Sequence, residues 1–133
     1  MTKYLLPYLA TAAAFIVIDL IWLGWVARPY YVSKMGALLL DKPNLIVAFA
    51  FYALFGIGIV FFAVIPSVKS DSLAMALGYG ALFGFFAYAT YDLTNLAVIR
   101  NWSVELALVD IVWGTVLTGI AALTGAWVGR WMG

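Results

Sequence analysis

The amino-acid sequence predicts an all-α membrane protein, a bundle of four transmembrane helices. Two observations carry this. Of the 133 residues, 67% are hydrophobic and only 10% are charged, which leaves too little polar material to surface a soluble domain. The apolar residues also fall in four blocks, each of roughly 20 residues or more, enough to cross about 30 Å of hydrocarbon as a helix. Helices satisfy their own backbone groups, as lipid demands. A β-barrel would need alternating segments of about 10 residues, and none is present.

The first block runs from about Leu5 to Ala27, the second from about Leu45 to Ile65, the third from about Leu73 to Val98 and the fourth from about Val104 to Trp131. Pro7 falls in the first turn of helix one, where its missing N–H costs little. Pro29 and Pro66 follow helices one and two and are expected to stop them. Ser70, Asp71 and Ser72 offer caps for helix three, and Ser103 followed by Glu105 suits the start of helix four. Lys3 and the small residues Ala12 to Ala14 give helix one a weak likeness to a signal peptide. Its apolar run continues through Asp19 and Trp22, however, so an uncleaved helix is expected. The longest loop, Arg28 to Asn44, mixes Tyr30, Tyr31 and Lys34 with the apolar run Met35 to Leu40. It reads either as a short interfacial helix with its tyrosines in the headgroup belt or as a plain loop. Asp41 and Asp71 fall in loops. No linker or low-complexity stretch interrupts the chain, so residues 1–133 are expected to form one domain.

Composition removes whole classes of chemistry. With a net charge of +1, a nucleic-acid partner is not expected. There is no Cys and no His, hence no thiolate or iron–sulfur chemistry, no His-ligated haem and no imidazole metal site. No Lys lies within a span, so a retinal Schiff base has no anchor. There is no Walker-type loop and no Glu-x-x-His pair. The expectation is a protein without cofactor or metal.

Three acids remain inside the apolar blocks: Asp19, Asp92 and Asp110. A carboxylate there costs several kcal/mol and is usually paired, protonated or turned to a polar interior. Asp19 lies about 13 Å before Arg28 along a helix, Asp92 about 12 Å before Arg100, and Asp110 about 10 Å after Ser103. Helix one ends on the side where helix four begins, so all three acids share one membrane half. On helix three, Tyr88, Tyr91, Asp92 and Asn95 lie within a stripe of about 100°. On helix four, Asp110, Gly114, Ala121 and Gly125 share a face, with Trp113 at its edge. The reading is one polar pocket with Asp19, Asp92 and Asp110 as catalytic acids, its substrate-binding walls and polar lining made by Trp22, Tyr88, Tyr91, Asn95 and Trp113. Against it stands a structural reading, in which these groups only hydrogen-bond across helices, with Arg28 or Arg100 folding inward on one acid. Trp102, Trp127 and Trp131 read as belt residues. Asp19-Leu20-Ile21-Trp22 is echoed by Asp110-Ile111-Val112-Trp113; a tandem duplication would pair other helices, so the echo reads as chance or convergent site-building.

The tract from Tyr88 to Ala97, with Asp19 to Gly24 before it and Asp110 to Thr115 after it, resembles the family of predicted bacterial membrane proteins called domain of unknown function 2177. The likeness extends to Phe51-Tyr52 and Trp102-Ser103 and covers nearly the whole chain. It implies four helices and a bacterial source, hence the cytoplasmic (inner) membrane, and no established activity.

Three functions compete on the residues. The first is acid-catalysed chemistry on a lipid or isoprenoid-like molecule: a buried carboxylic acid protonates an alkene, enol ether or leaving group, and a second aspartate stabilises the cation or activates water. The second is a proton-coupled carrier of small cationic or lipophilic molecules. The third is a structural or accessory subunit. Membrane lipids are the expected partners. A homodimer is also expected, since the face of Gly114, Ala121 and Gly125 suits close helix contact, although it equally suits packing within one chain. Arg28, Lys34, Lys42 and Arg100 on one side outnumber Lys3, Lys69 and Arg130 on the other, which places the long loop in the cytoplasm. The margin is narrow enough to leave dual insertion open.

Overall fold

The computed structural model describes residues 2–40 and 42–132; Asp41, assigned above to the first long loop, lies outside the described residues. Four long helices are present, each long and apolar enough to cross a membrane: α1 (Leu5–Val26), α3 (Leu45–Lys69), α4 (Leu73–Val98) and α5 (Val104–Met132). A short helix, α2 (Arg28–Met35), follows α1 and runs into a 3-10 turn at Gly36–Leu38. Of the two readings of the long loop, the helical one holds.

The caps expected from sequence are in place. Ser72 accepts from the Met75 amide at 3.2 Å and Ser103 from the Leu106 amide at 3.1 Å. Asn44 does the same for α3, accepting from Val47 N at 3.2 Å, so three helix starts have a donor satisfied. Pro66 does not end α3, which continues to Lys69. Just before it, the five residues Val60–Val64 open into a π-helical turn, and Ile65 resumes the α-helix. That widening shifts the ladder of backbone bonds where the proline ring would otherwise strike a carbonyl and withhold an N–H. A second π turn, Trp22–Val26, ends α1. Pro29 then sits in the first turn of α2, so it opens a helix as well as following one.

α5 is the centre of the bundle, packing along α4 and against α1. The half nearest the chain termini is closely filled. Leu117, Ala121, Ala122 and Ala126 of α5 are fully buried with Ile59, Ala63 and Val64 of α3. α4 and α5 approach so closely that a Cβ on Gly84 would strike the Gly114 carbonyl and Thr118. A Cβ on Gly125 would strike the Thr11 hydroxyl of α1. Gly114 itself lies under the Tyr88 ring. The small-residue face of α5 is therefore filled from within the chain. Toward the other end the bundle opens: α3 touches α1 along its first half but meets α4 chiefly from its π turn onward.

Candidate functional site

The open end carries the three intramembrane aspartates, and the Asp-x-x-Trp echo explains how two of them are held. Trp22 and Trp113 stack face to face, with centroids 4.2 Å apart and planes 12° from parallel. Trp113 donates its indole N–H to Asp19 Oδ1 at 3.1 Å, across from α5 to α1. Trp22 donates to the Tyr31 hydroxyl at 3.2 Å, and Tyr31 donates to Asp110 Oδ1 at 2.9 Å. Each motif's tryptophan thus serves the other motif's aspartate, once directly and once through a tyrosine. Asp19 receives a second bond from Tyr52 of α3 at 2.8 Å. A carboxylate with two donors is well satisfied even where it is buried.

Asp92 is placed differently. It is 1% exposed, and neither of its oxygens has a donor among the described residues. Its neighbour is the Asp110 carboxyl, which borders the same cavity from α5. Two carboxyl groups in that position bond to each other only when one proton lies between them. Tyr31 already occupies one Asp110 oxygen. Burial pushes the Tyr31 phenol above its ordinary range, an effect the Asp110 charge reinforces against the opposing Trp22 bond. Tyr31 therefore keeps its proton and remains a donor.

Asp92 and Asp110 border a chamber of about 640 Å³, which α2 and the loop after it cover. Its walls are apolar residues such as Leu23, Met35 and Leu106, with Arg28 and Trp102 among its polar groups. The cover is tied down at one edge, where Lys34 pairs with Glu105 at 3.0 Å and Tyr30 donates to the same carboxylate at 2.9 Å. A second cavity of about 350 Å³ lies between α3 and α4, bordered by Asp19, Asp110, Phe51, Phe55, Tyr88 and Tyr91. Asp110, Tyr91 and Leu23 border both cavities.

The sequence-derived pocket is thus two adjoining cavities. Asp110 belongs to both, Asp92 to the chamber and Asp19 to the cleft. Tyr88 and Tyr91 are walls, as expected from the stripe on α4. Trp22 and Trp113 are not walls of the acid cavities: they line a separate apolar groove and turn their N–H groups inward. Asn95 stands beside Tyr91 and borders none of the three cavities. Neither Arg28 nor Arg100 forms an ion pair with the three acids among the described residues. Tyr31, read as a belt residue, is buried against Asp110, because the π turn and α2 fold it back over the bundle. Trp102, also read as belt, borders the chamber. Tyr52 and Tyr31 are the donors that sequence reasoning missed; their place in the tracts Phe51-Tyr52 and Tyr30-Tyr31 was the one signal available.

Residues 4–127 match a family model described as predicted membrane protein, DUF2177. No curated protein and no solved structure matches the chain.

Proposed function

The chain belongs to the DUF2177 family of predicted membrane proteins, and from its geometry we propose that it is a membrane-embedded acid–base enzyme acting on a lipid or isoprenoid-like molecule. One observation carries the reading: Asp92 is buried without a donor among the described residues, beside Asp110, at the edge of a chamber large enough for a substrate. A buried polar group without partners costs about 1–3 kcal/mol, more when charged, and such a cost is expected where the group works on a ligand. Asp19, with two donors, is the positioning member of the three.

The chemistry follows from the pair. Asp92 delivers its proton to a carbon–carbon double bond or an enol ether, forming a C–H bond and leaving a cation on the substrate and a carboxylate on Asp92. The Tyr91 face and the ionised Asp110 stabilise that cation. Either the cation loses a neighbouring proton to the pair, which isomerises the substrate, or water adds and returns its proton to the pair, which hydrates it. Asp92 is reprotonated in both cases. Tyr31 and Trp22 hold Asp110 in place as acceptor. We place the protein in the bacterial cytoplasmic membrane with the chamber toward the cytoplasm, on the charge of the loops.

The test is lipid turnover. Lipids extracted from cells lacking this chain are incubated with the purified protein in vesicles, and masses are compared before and after. The wild type is expected to convert one lipid class to an isomer or a hydrate, with Asp92→Asn failing to do so. Unchanged lipid profiles with folded wild-type protein would overturn the reading.

A further inference from the structure

The chamber is bordered by two donor groups, one buried and one exposed, that bond to none of the described residues. The Trp102 indole N–H is buried and has no acceptor among the described residues. Arg28 borders the same chamber and has no ion pair or hydrogen bond among them. A guanidinium and an indole N–H are donors only, so what they ask for is an acceptor with several oxygens. Arg in particular matches the planar or tetrahedral oxyanions of carboxylate and phosphate. The apolar residues around them ask for the opposite, a hydrocarbon.

The second cavity supplies room for that hydrocarbon. It meets the chamber at Asp110, Tyr91 and Leu23, and its outer wall is aromatic, with Phe51 and Phe55 of α3 facing Tyr88 of α4. Phe51 and Phe55 stack at 5.3 Å, and Phe55 stands edge-on to Tyr88 at 6.3 Å. This is the place where α3 and α4 part, so the cleft faces the lipid side of the bundle.

Resting on the reading of the site given above, we infer that the substrate is a single-chain amphiphile with an anionic oxyacid head, entering sideways from the bilayer between α3 and α4. The head is held by Arg28 and Trp102 in the chamber, and the chain passes Tyr91 and Asp110 into the aromatic cleft. The bond to be protonated then lies a few carbons from the head, where Asp92 faces the chamber. An anionic head adds to the cost of two ionised carboxylates, which favours the state with one shared proton that the chemistry needs.

Binding tests this apart from turnover. The full chain in phosphatidylcholine nanodiscs is titrated calorimetrically with dodecyl phosphate, dodecanoate, dodecanol and inorganic phosphate, with empty nanodiscs as the blank. At least one of the two anionic amphiphiles is expected to bind about tenfold or more tighter than dodecanol, as a charge-assisted pair provides; which one identifies the head as phosphate or carboxylate. Arg28→Gln should abolish that preference and Arg28→Lys restore part of it. Ala87→Trp, which fills the cleft, should weaken all three amphiphiles alike. Equal binding of dodecanol, or a preference that survives Arg28→Gln, would overturn the inference. So would inorganic phosphate binding as tightly as dodecyl phosphate, which would mark a site for free anions. Asp92→Asn separates the two proposals. Head-selective binding in wild type and variant with no turnover in either leaves this inference standing and removes the acid chemistry. Turnover without head selectivity does the reverse.

Discussion

The two ends of the bundle solve the same packing problem in opposite ways. At the end nearest the chain termini, α4 and α5 meet on Gly80, Gly84 and Ala122, with no room for another methyl group. At the other end the helices part around aspartates, tyrosines and tryptophans, and two cavities remain. Helix association in lipid draws on close van der Waals contact and on interhelical hydrogen bonds. Here the contact is concentrated at one end and most of the interhelical side-chain bonds at the other, with Tyr8, which donates to the Ala53 carbonyl at 3.1 Å, an exception from the packed side. The lesson concerns the structural reading of the aspartates. A bundle already joined through its glycines does not need a third intramembrane carboxylate, least of all one that bonds to no donor. Asp19 ties α1 to α3 and α5 and has a structural use; Asp92 receives no such donor among the described residues.

The largest effect that this contrast predicts is on Asp92. Asp92→Asn keeps the shape and loses the titratable proton, so lipid turnover should fall about 10²- to 10⁴-fold, the usual weight of a positioned acid. The thermal unfolding midpoint in detergent should hold or rise, since the carboxyl it replaces is buried without a donor among the described residues. A marked fall in that midpoint would mean that Asp92 holds helices together, and the contrast between the ends would break.

At the packed end the pattern should invert. Gly84→Val places a side chain against the Gly114 carbonyl and Thr118, an overpacking that costs about 1–3 kcal/mol or more. Unfolding should move to lower temperature by a clear margin. Whatever turnover is measured on the folded fraction should stay within a few-fold of wild type. A stable Gly84→Val variant would show that α4 and α5 have freedom to part there, and the end nearest the termini would no longer count as the rigid one.

Asp19→Asn tests the division among the aspartates. Asn offers one oxygen to the two donors Tyr52 and Trp113, and its amide cannot accept from the other. A loss of about 1–3 kcal/mol in stability is expected, with Tyr52→Phe giving a smaller loss of the same sign. Should Asp19→Asn leave stability untouched and remove turnover, Asp19 would join Asp92 as an acid at work on substrate.

Much of this was legible in the sequence. Long apolar blocks report spans directly because lipid allows few alternatives, and Ser72 and Ser103 announced their helices because a cap is a local bond. The shared depth of the aspartates followed from rise per residue alone. What could not be read was direction around each helix axis. Apart from the stripe on α4, these helices are apolar on most sides, so little reveals which way a side chain turns. Tyr31 and Trp102 lie at helix ends, where an aromatic residue turned to the headgroups and one turned to the interior look alike in sequence. Pro66 misled for a related reason: a proline that stops a helix and one that a preceding π turn accommodates look alike in sequence. The Asp-x-x-Trp echo was visible, but its meaning needed the stacked rings, since only their contact lets each tryptophan serve the opposite aspartate.

The smallest expected effect concerns Thr118. Its hydroxyl is buried and, like Asp92, has no partner among the described residues. Thr11, equally buried, shows the ordinary solution, donating to the Pro7 carbonyl one turn back at 2.7 Å. Thr118 sits at the packed end, under Gly84, and borders none of the three cavities. An unpartnered group there can act on nothing, so it should be a small cost and no more. Thr118→Val keeps nearly the same shape and removes the hydroxyl. Replacing an unsatisfied group by an apolar one of the same shape is near neutral or stabilising, so the unfolding midpoint should be unchanged or shift upward by the equivalent of about 1 kcal/mol or less. Turnover and amphiphile binding should not move. A clear loss of stability would mean that the hydroxyl bonds across the α4–α5 contact, and that the packed end too relies on polar ties. A loss of turnover with stability intact would be the more damaging result, because it would carry the working site into the half assigned here to packing alone.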